Sequence, residues 1–425
     1  MKIAIITFGC KVNQYESEYM AEKLEEEGHV IVPEGLNADV YVINSCAVTN
    51  TAERKVQHRI RRIKKQHPKA KVIVVGCYPQ LKPEDALRYG ADLALGNREK
   101  KELHRYINGI SSGSFVDKAY WMRNGAVESV FGAYAERTRA YVKVEDGCDR
   151  VCSYCAIRLA RGTKIRSKPP EKVIDEIERL LDKGHKEVVI TGINVGRYGV
   201  DIGQRLSDLL WKIEKIKGDF RYRLSSLNPE DVDEEILDVF RNSERICHHL
   251  HLSLQSGSDR ILRLMKRNYT LADFMRVVDK LREIEELFAI TTDVIVGFPT
   301  ETEDDFMQSV KAVEDALISR VHVFRFSPKE GTPAAKMRGQ IPGNIKRDRA
   351  THMEEVAKNV ARRYRESLVG RKVAVLVERK KDGFSSGYDQ YYQLHELYGG
   401  IPGRLERVVI VGVTQEGVVS RHDNH

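Results

Sequence analysis

The 425-residue chain has no long hydrophobic run. Its longest apolar stretches, such as VIVV at 72–75, are far too short to cross a bilayer. No internal repeat and no low-complexity tract breaks the sequence, which excludes solenoids and compositionally disordered segments. A paired set of cysteines is also lacking. There are seven, Cys10, Cys46, Cys77, Cys148, Cys152, Cys155 and Cys247, and an odd number in a large chain argues against a disulfide framework and for metal or redox chemistry. The start, MKIAIITFGCKVNQ, has only a brief apolar stretch and no small-residue cleavage site, so it reads as a first strand rather than a signal peptide. Cytoplasmic residence without a membrane association is the expectation.

What is present suits a globular protein of about two to three domains. Hydrophobic residues make up 41% and charged residues 31%, with 70 Lys and Arg against 62 Asp and Glu for a net charge of +8. That mild excess permits a polyanionic partner without requiring one. Three zones follow along the chain. The first hundred residues alternate strand and helix. KIAIITF (2–8), VYVIN (40–44) and KVIVVG (71–76) are strands, and 14–27 and 49–66 are helices, with Gly28 as a stop and Thr49 or Asn50 as a cap. This alternation predicts a parallel sheet. Residues 108–136 lose periodicity and read as a linker. Strands at 141–145, 187–192, 221–226, 249–254, 289–297 and 320–327, with helices such as 171–183 and 271–286 between them, then predict a partial (β/α)6 TIM-like barrel. From about 370, short strands with turn signals predict a small antiparallel β-barrel, OB-like in size. The fold class is α/β, with expected domains at 1–125, 135–366 and 369–425.

Cys148, Cys152 and Cys155 form a C-x3-C-x2-C triplet just after the first barrel strand. Three thiolates can wrap one face of a [4Fe–4S] cluster and leave one iron open. An open iron can chelate the amino and carboxylate groups of S-adenosylmethionine (SAM), whose reductive cleavage gives a 5′-deoxyadenosyl radical. Zinc would call for a fourth ligand, and neither Asp149 nor Arg150 is suited to the role. Cys10, Cys46 and Cys77 each directly follow a predicted parallel strand, in ITFGC, VINSC and VVGC. Parallel strand ends converge on one edge, so these three can hold a second cluster, again with an open iron. Gly9 and Gly76 would allow close backbone approach. Asn13 reads either as a hydrogen-bond partner of that cluster or as the cap of the helix beginning at 14.

SAM contacts are expected from strand carboxyl ends: Thr191 and Gly192, Ser225 and Ser226, Gln255, Gly297 and Phe326, together with Tyr154 beside the last cysteine of the triplet. Glu301 reads as a substrate contact or a helix cap. His249 and His251 share one face by the period of two and read as packed or substrate-facing rather than as metal ligands. Cys247 reads as a buried structural thiol. For RNA, the basic stretch ERKVQHRIRRIKKQH (53–67) and the aromatics Phe384, Tyr388, Tyr391 and Tyr392 among Lys and Arg in the last module are the candidates.

These features together resemble the methylthiotransferase family of radical SAM enzymes over nearly the whole chain. The last module is similar to a TRAM domain. GCKVN (9–13), HLSLQSGSD (251–259), DVIVGFPTE (293–301) and FSPKEGTPA (326–334) are most similar to the MtaB branch. That branch acts on N6-threonylcarbamoyladenosine (t6A) at position 37 of tRNA, in the anticodon loop. The i6A-modifying branch more typically starts GCQMN, and the ribosomal-protein branch GCPKN. The resemblance implies two [4Fe–4S] clusters, SAM, an external electron donor, a sulfur donor and a monomer. The target adenine is expected to leave the loop stack to reach a closed site. The family's Gly-Gly-Glu-like methionine-binding motif stands here as TGIN (191–194). An RNA-binding protein with purely structural clusters is a different reading, opposed by two triplets that each lack a fourth ligand.

Overall fold

The computed structural model describes residues 1–109, 112–119, 127–130 and 138–423. Its amino-terminal sheet is fully parallel and has six strands in the order β2-β1-β3-β4-β5-β6: β1 (Lys2–Thr7), β2 (Val30–Ile31), β3 (Val40–Ser45), β4 (Lys71–Gly76), β5 (Leu93–Leu95) and β6 (Gly113–Phe115). The sequence showed only three of these. The other three have two or three residues, too few to express a period. One of them, β6, falls within 108–136, so this end of the expected linker is sheet; 110–111, 120–126 and 131–137 lie outside the described residues.

The first two helices follow from their apolar spacing. Helix α1 (Lys11–Glu26) buries Val12, Tyr15, Met20 and Leu24. Its N-cap is Cys10, not Asn13, which lies within the first turn. Helix α2 (Asn50–Gln66) buries Val56, Ile60 and Ile63, while Thr49 caps it by accepting from Ala52 N at 3.1 Å. Its other face exposes Arg54, Lys55, His58, Arg61, Arg62 and Lys65.

The central barrel has the six expected parallel strands: β7 (Arg139–Asp146), β9 (Glu187–Gly192), β10 (Arg221–Leu224), β11 (His249–His251), β12 (Ala289–Val296) and β13 (Arg320–Arg325). A short β8 (Arg166–Ser167) pairs antiparallel with β7, and isolated bridges at Tyr222–Ile246 and Leu227–Leu252 join β10 to the β11 segment. The helices around it include Pro170–Asp182 and Leu271–Ile284. Its core interleaves Val142, Val188, Leu224, Leu250 and Ile290 with helix residues such as Ile177, Phe240 and Phe274.

The carboxy-terminal module is a closed five-stranded barrel in the order β14-β15-β16-β18-β17: β14 (Lys372–Lys381), β15 (Phe384–Tyr388), β16 (Leu394–Tyr398), β17 (Leu405–Val413) and β18 (Val418–His422). It departs from a purely antiparallel barrel at one seam, because β16 and β18 pair parallel. Tyr391 and Tyr392 belong to the turn before β16 rather than to a strand.

Two polar joints tie these parts together. Arg221 donates to the carbonyls of Ala374 (2.6 Å) and Tyr388 (2.7 Å), and Arg223 to those of Asp389 (2.8 Å) and Gln390 (3.1 Å). Both are also held by buried Glu187. At the other joint, Glu16 of α1 meets Lys100 (2.6 Å), Lys143 of β7 (2.8 Å) and Arg161. Lys143 also contacts Glu128 (2.7 Å) and Asp146 (2.8 Å). All six side chains are almost fully buried. Ions so far from water hold only because each is matched by opposite charge. No helix among the described residues is long and apolar enough to cross a membrane.

Candidate radical and sulfur sites

Cys148, Cys152 and Cys155 lie on the loop after β7. Gly147 turns the chain at φ +99°, where a Cβ would sit 2.0 Å from the Lys164 carbonyl oxygen, so only glycine fits. The loop is fixed by its backbone: Cys148 N donates to Gly162 O (3.2 Å), Ser153 N to Met265 O (2.9 Å), and Ala334 N to Ser153 O (2.8 Å). The sulfurs receive donors. Asn194 Nδ2 lies 3.6 Å from Cys148 Sγ, and Arg267 Nη1 lies 3.2 Å from Cys152 Sγ. Burial pushes the Cys148 thiol up to about 12. Thiols held up by burial yet supplied with N–H donors fit a site whose sulfurs become metal-bound thiolates. Asn194 ends the TGIN segment, and its own backbone N–H donates to the buried Glu145 carboxylate at 2.7 Å. The other Glu145 oxygen has no partner among the described residues.

A cavity of about 170 Å³ opens beside Cys155. It brings together three of the sequence-predicted contacts, Tyr154, Gln255 and Phe326, and adds Asp293, Ile295 and Phe324. Gln255 holds a left-handed φ of +64° and pairs through its backbone with Asp293 and Ile295. Val48 and Thr49 of the amino-terminal domain complete the wall. Thr191, Gly192, Ser225, Ser226 and Gly297 sit at strand ends but do not line this cavity. Ser225 Oγ is buried without a partner among the described residues. Gly297, at φ +71°, is covered by Lys346, and its N–H donates to Glu301 at 2.7 Å. Glu301 also meets Arg349 at 2.7 Å, so it braces this turn; the cap of the next helix is Thr302.

Cys10, Cys46 and Cys77 meet at the carboxyl edge of the first sheet. A Cβ on Gly9 would lie 2.8 Å from Cys46 Cβ, and Gly76 at φ +98° sets Cys77 at the head of a short helix. The three thiols lie within mutual electrostatic reach. Cys46 and Cys77 are buried and Cys10 is exposed. Burial pushes the Cys46 thiol up to about 12. Val48 N approaches Cys46 Sγ at 3.5 Å, and Asn97 Nδ2 approaches Cys77 Sγ at 3.8 Å. Again the donor set is three sulfurs, two of them with N–H groups aimed at them, which suits an iron–sulfur cluster. Asn13 Oδ1 lies 3.9 Å from Cys10 Sγ and accepts from Arg161 Nη2 at 2.9 Å.

The first 95 residues of this region, 2–96, match the family model of the uncharacterized protein family UPF0004, and 142–313 match the Radical SAM superfamily. Over 419 residues the chain is 50% identical to "Threonylcarbamoyladenosine tRNA methylthiotransferase MtaB" of Thermotoga maritima, covering 98% of this chain and 96% of that one. The chain belongs to the radical SAM methylthiotransferase family. A relative named for a different nucleoside is also similar: "tRNA-2-methylthio-N(6)-dimethylallyladenosine synthase" of Thermodesulfovibrio yellowstonii is 35% identical over 94% of this chain and 93% of that one. The enzyme is a transferase that uses a [4Fe–4S] cluster and SAM. The radical SAM methyltransferase TsrM of Kitasatospora setae, solved with cobalamin and a [4Fe–4S] cluster, shares the fold at TM-score 0.59 and 15% identity, covering 91% of this chain and 80% of that one.

Arg267 and Phe324 carried no sequence signal, and Asn194 and Asp293 stood out only as members of the TGIN and DVIVGFPTE stretches. Arg267, Asn194, Asp293 and Phe324 reach the site from four different strand–loop segments, and only the closed barrel brings them together. His249 and His251 both approach Thr291 Oγ1, at 3.1 Å each. Cys247 is buried beside Arg223 and Arg221, away from both triplets. Of the expected RNA-facing aromatics, Phe384 is exposed and packs edge-on against exposed Tyr398, whereas Tyr391 is core. Tyr388 and Tyr392 stack on each other at the junction with the central barrel, under Arg139.

Proposed function

We propose that this enzyme inserts a methylthio group at C2 of t6A at position 37 in the tRNA anticodon loop. The observation that carries the reading is the presence of two three-cysteine sets, each at strand ends and each short of a fourth ligand, in a chain half identical over its length to an MtaB enzyme. Residues 1–125, 135–366 and 369–425 act as the sulfur-carrying, radical-generating and TRAM-like RNA-binding parts. Cys148, Cys152 and Cys155 hold the radical cluster, and Cys10, Cys46 and Cys77 a second [4Fe–4S] cluster. Bound there, the clusters and SAM supply a 5′-deoxyadenosyl radical and a site for methylated sulfur.

The chain's own residues orient and shield. Tyr154, Gln255 and Phe326 contact SAM, with Thr191, Gly192, Ser225, Ser226 and Gly297 shaping the strand ends around it. Ile295 and Phe326 exclude water from the cavity, and Asn194 and Arg267 hold thiolate sulfur in place. An external electron donor and a sulfur donor act on the enzyme, which works as a cytoplasmic monomer.

Mass spectrometry of tRNA nucleosides from cells with and without the protein tests the substrate. Loss of the methylthio group from t6A is expected; loss from i6A instead would transfer the assignment to that substrate. Anaerobic reconstitution should give about eight irons per chain, as two four-iron clusters require. Alanine at either cysteine set should leave about four. An intact wild-type chain holding only about four would refute the second cluster.

A further inference from the structure

Two cations that act on His322, half-buried Lys11 and exposed Arg320, have no ion pair among the described residues. Lys11, the residue after Cys10, is half-buried at the start of α1. Its electrostatic neighbours are Tyr392, Arg139 and Arg223, and it acts in turn on His249 and His322. Arg139 is matched by Glu378 and Arg223 by Glu187, but Lys11 has no hydrogen bond or ion pair from its ammonium group among the described residues. Neither does the guanidinium of Arg320, two residues before His322 on the same strand face. His322 stands opposite Asp293 in the β12–β13 register, and its ring centroid lies 5.9 Å from that of His251. Asp293 itself is occupied by His251 at 3.4 Å and lines the cavity.

We propose that Lys11, Arg320 and His322 form a recess that binds the threonyl carboxylate of the modified adenosine. The inference rests on the proposed t6A substrate and names how it is told from others. An N6-threonylcarbamoyl group ends in a carboxylate, the anion that two unmatched cations and an imidazole N–H would satisfy. A dimethylallyl group is apolar and would leave Lys11 desolvated without a partner. The cluster His251, Asp293 and His322 could in isolation suggest a metal site, since their ligand atoms lie within 4.8 Å of one another. Lys11 and Arg320 outweigh the single Asp293 carboxylate there, which disfavours a metal cation and leaves room for a second anion. The placement also suits the chemistry, because Lys11 adjoins the second cysteine set and Asp293 the first cavity.

The test is binding of anticodon stem-loops carrying t6A, i6A or unmodified adenosine to the anaerobically reconstituted enzyme, followed by fluorescence anisotropy. Wild type should prefer the t6A loop. Lys11→Met, Arg320→Gln and His322→Phe should each reduce that preference by about tenfold, the scale of one lost charge-assisted contact, with affinity for the unmodified loop within about twofold. Iron content per chain checks that Lys11→Met has not disturbed Cys10. Equal losses on all three loops would assign these residues to backbone phosphate and overturn the proposal, as would no loss at all. A wild type that prefers the t6A loop yet never methylthiolates it would leave the recess standing and remove the proposed function instead.

Discussion

Arg161 donates to Asn13 Oδ1 at 2.9 Å, and the two residues stand at the inner ends of different cysteine sets. Asn13 is three residues from Cys10; Arg161 closes the short helix that follows Cys155, Ile157–Arg161. The same guanidinium meets Glu16 and lies 3.3 Å from Asp146. One side chain therefore spans the amino-terminal sheet and the barrel.

Arg161→Leu should be strongly destabilising, because Glu16 and Asp146 would keep their burial and lose a cation. Breaking a buried charge network by removing one partner typically costs about 3–5 kcal/mol. Urea unfolding of the reconstituted enzyme measures it; a loss below about 1 kcal/mol, the range of surface pairs, would mean that the joint is not held by this network.

Arg267 is expected to matter to the metal rather than to the fold. It places Nη1 at 3.2 Å from Cys152 Sγ and Nε at 3.0 Å from Tyr269 Oη. Arg267→Met should speed chelator-driven iron loss by about 10- to 100-fold, the usual effect of removing an outer partner of a metal ligand. Iron release at the wild-type rate would leave that contact without a role.

His249 gives a pH signature. It is buried, and burial together with Arg223, Lys11, His251 and Arg139 holds its imidazole well below the ordinary value of 6.5. The folded protein therefore favours the neutral ring. The associated stability is present above pH 6.5 and is lost on acidification, as the unfolded chain takes up the proton first. His249→Gln should flatten the decline of the melting temperature between about pH 6.5 and 5 relative to wild type. Parallel declines would show that another group controls that range.

Phe384 and Tyr398 form an exposed edge-to-face pair, ring centroids 5.7 Å apart, on the carboxy-terminal barrel. Base stacking on an aromatic is worth about 1–3 kcal/mol. Replacing both by alanine should weaken stem-loop binding by at least about fivefold, while Tyr391→Phe, in the core, should not. Unchanged affinity in the double variant would put the RNA on another face, with basic α2 the next to examine.

The cysteine chemistry and the order of the large elements could be read from sequence because both are local. A C-x3-C-x2-C run, or a cysteine after an apolar strand, declares itself within ten residues. Strands β2, β5 and β6 could not, since two or three residues carry no period and their pairing is decided by the neighbouring strand. The parallel β16–β18 seam is likewise a matter of closure, not of pattern. Arg267, Asn194 and Asp293 are common polar residues whose meaning depends on which sulfur or cavity the barrel places beside them. Tyr391 and Phe384 look alike in sequence; one is packed inside and the other faces water, a distinction set by which side of the small barrel docks.

That docking has a consequence for how the enzyme can diversify. Arg221 and Arg223 grip the last module by main-chain oxygens at Ala374, Tyr388, Asp389 and Gln390. Every amino acid presents such an oxygen. That part of the grip is blind to side chains, while Arg139 fixes Glu378, Tyr388 and Tyr392 at the junction, so the module's outer face is free to drift toward new RNA shapes without loosening its mount.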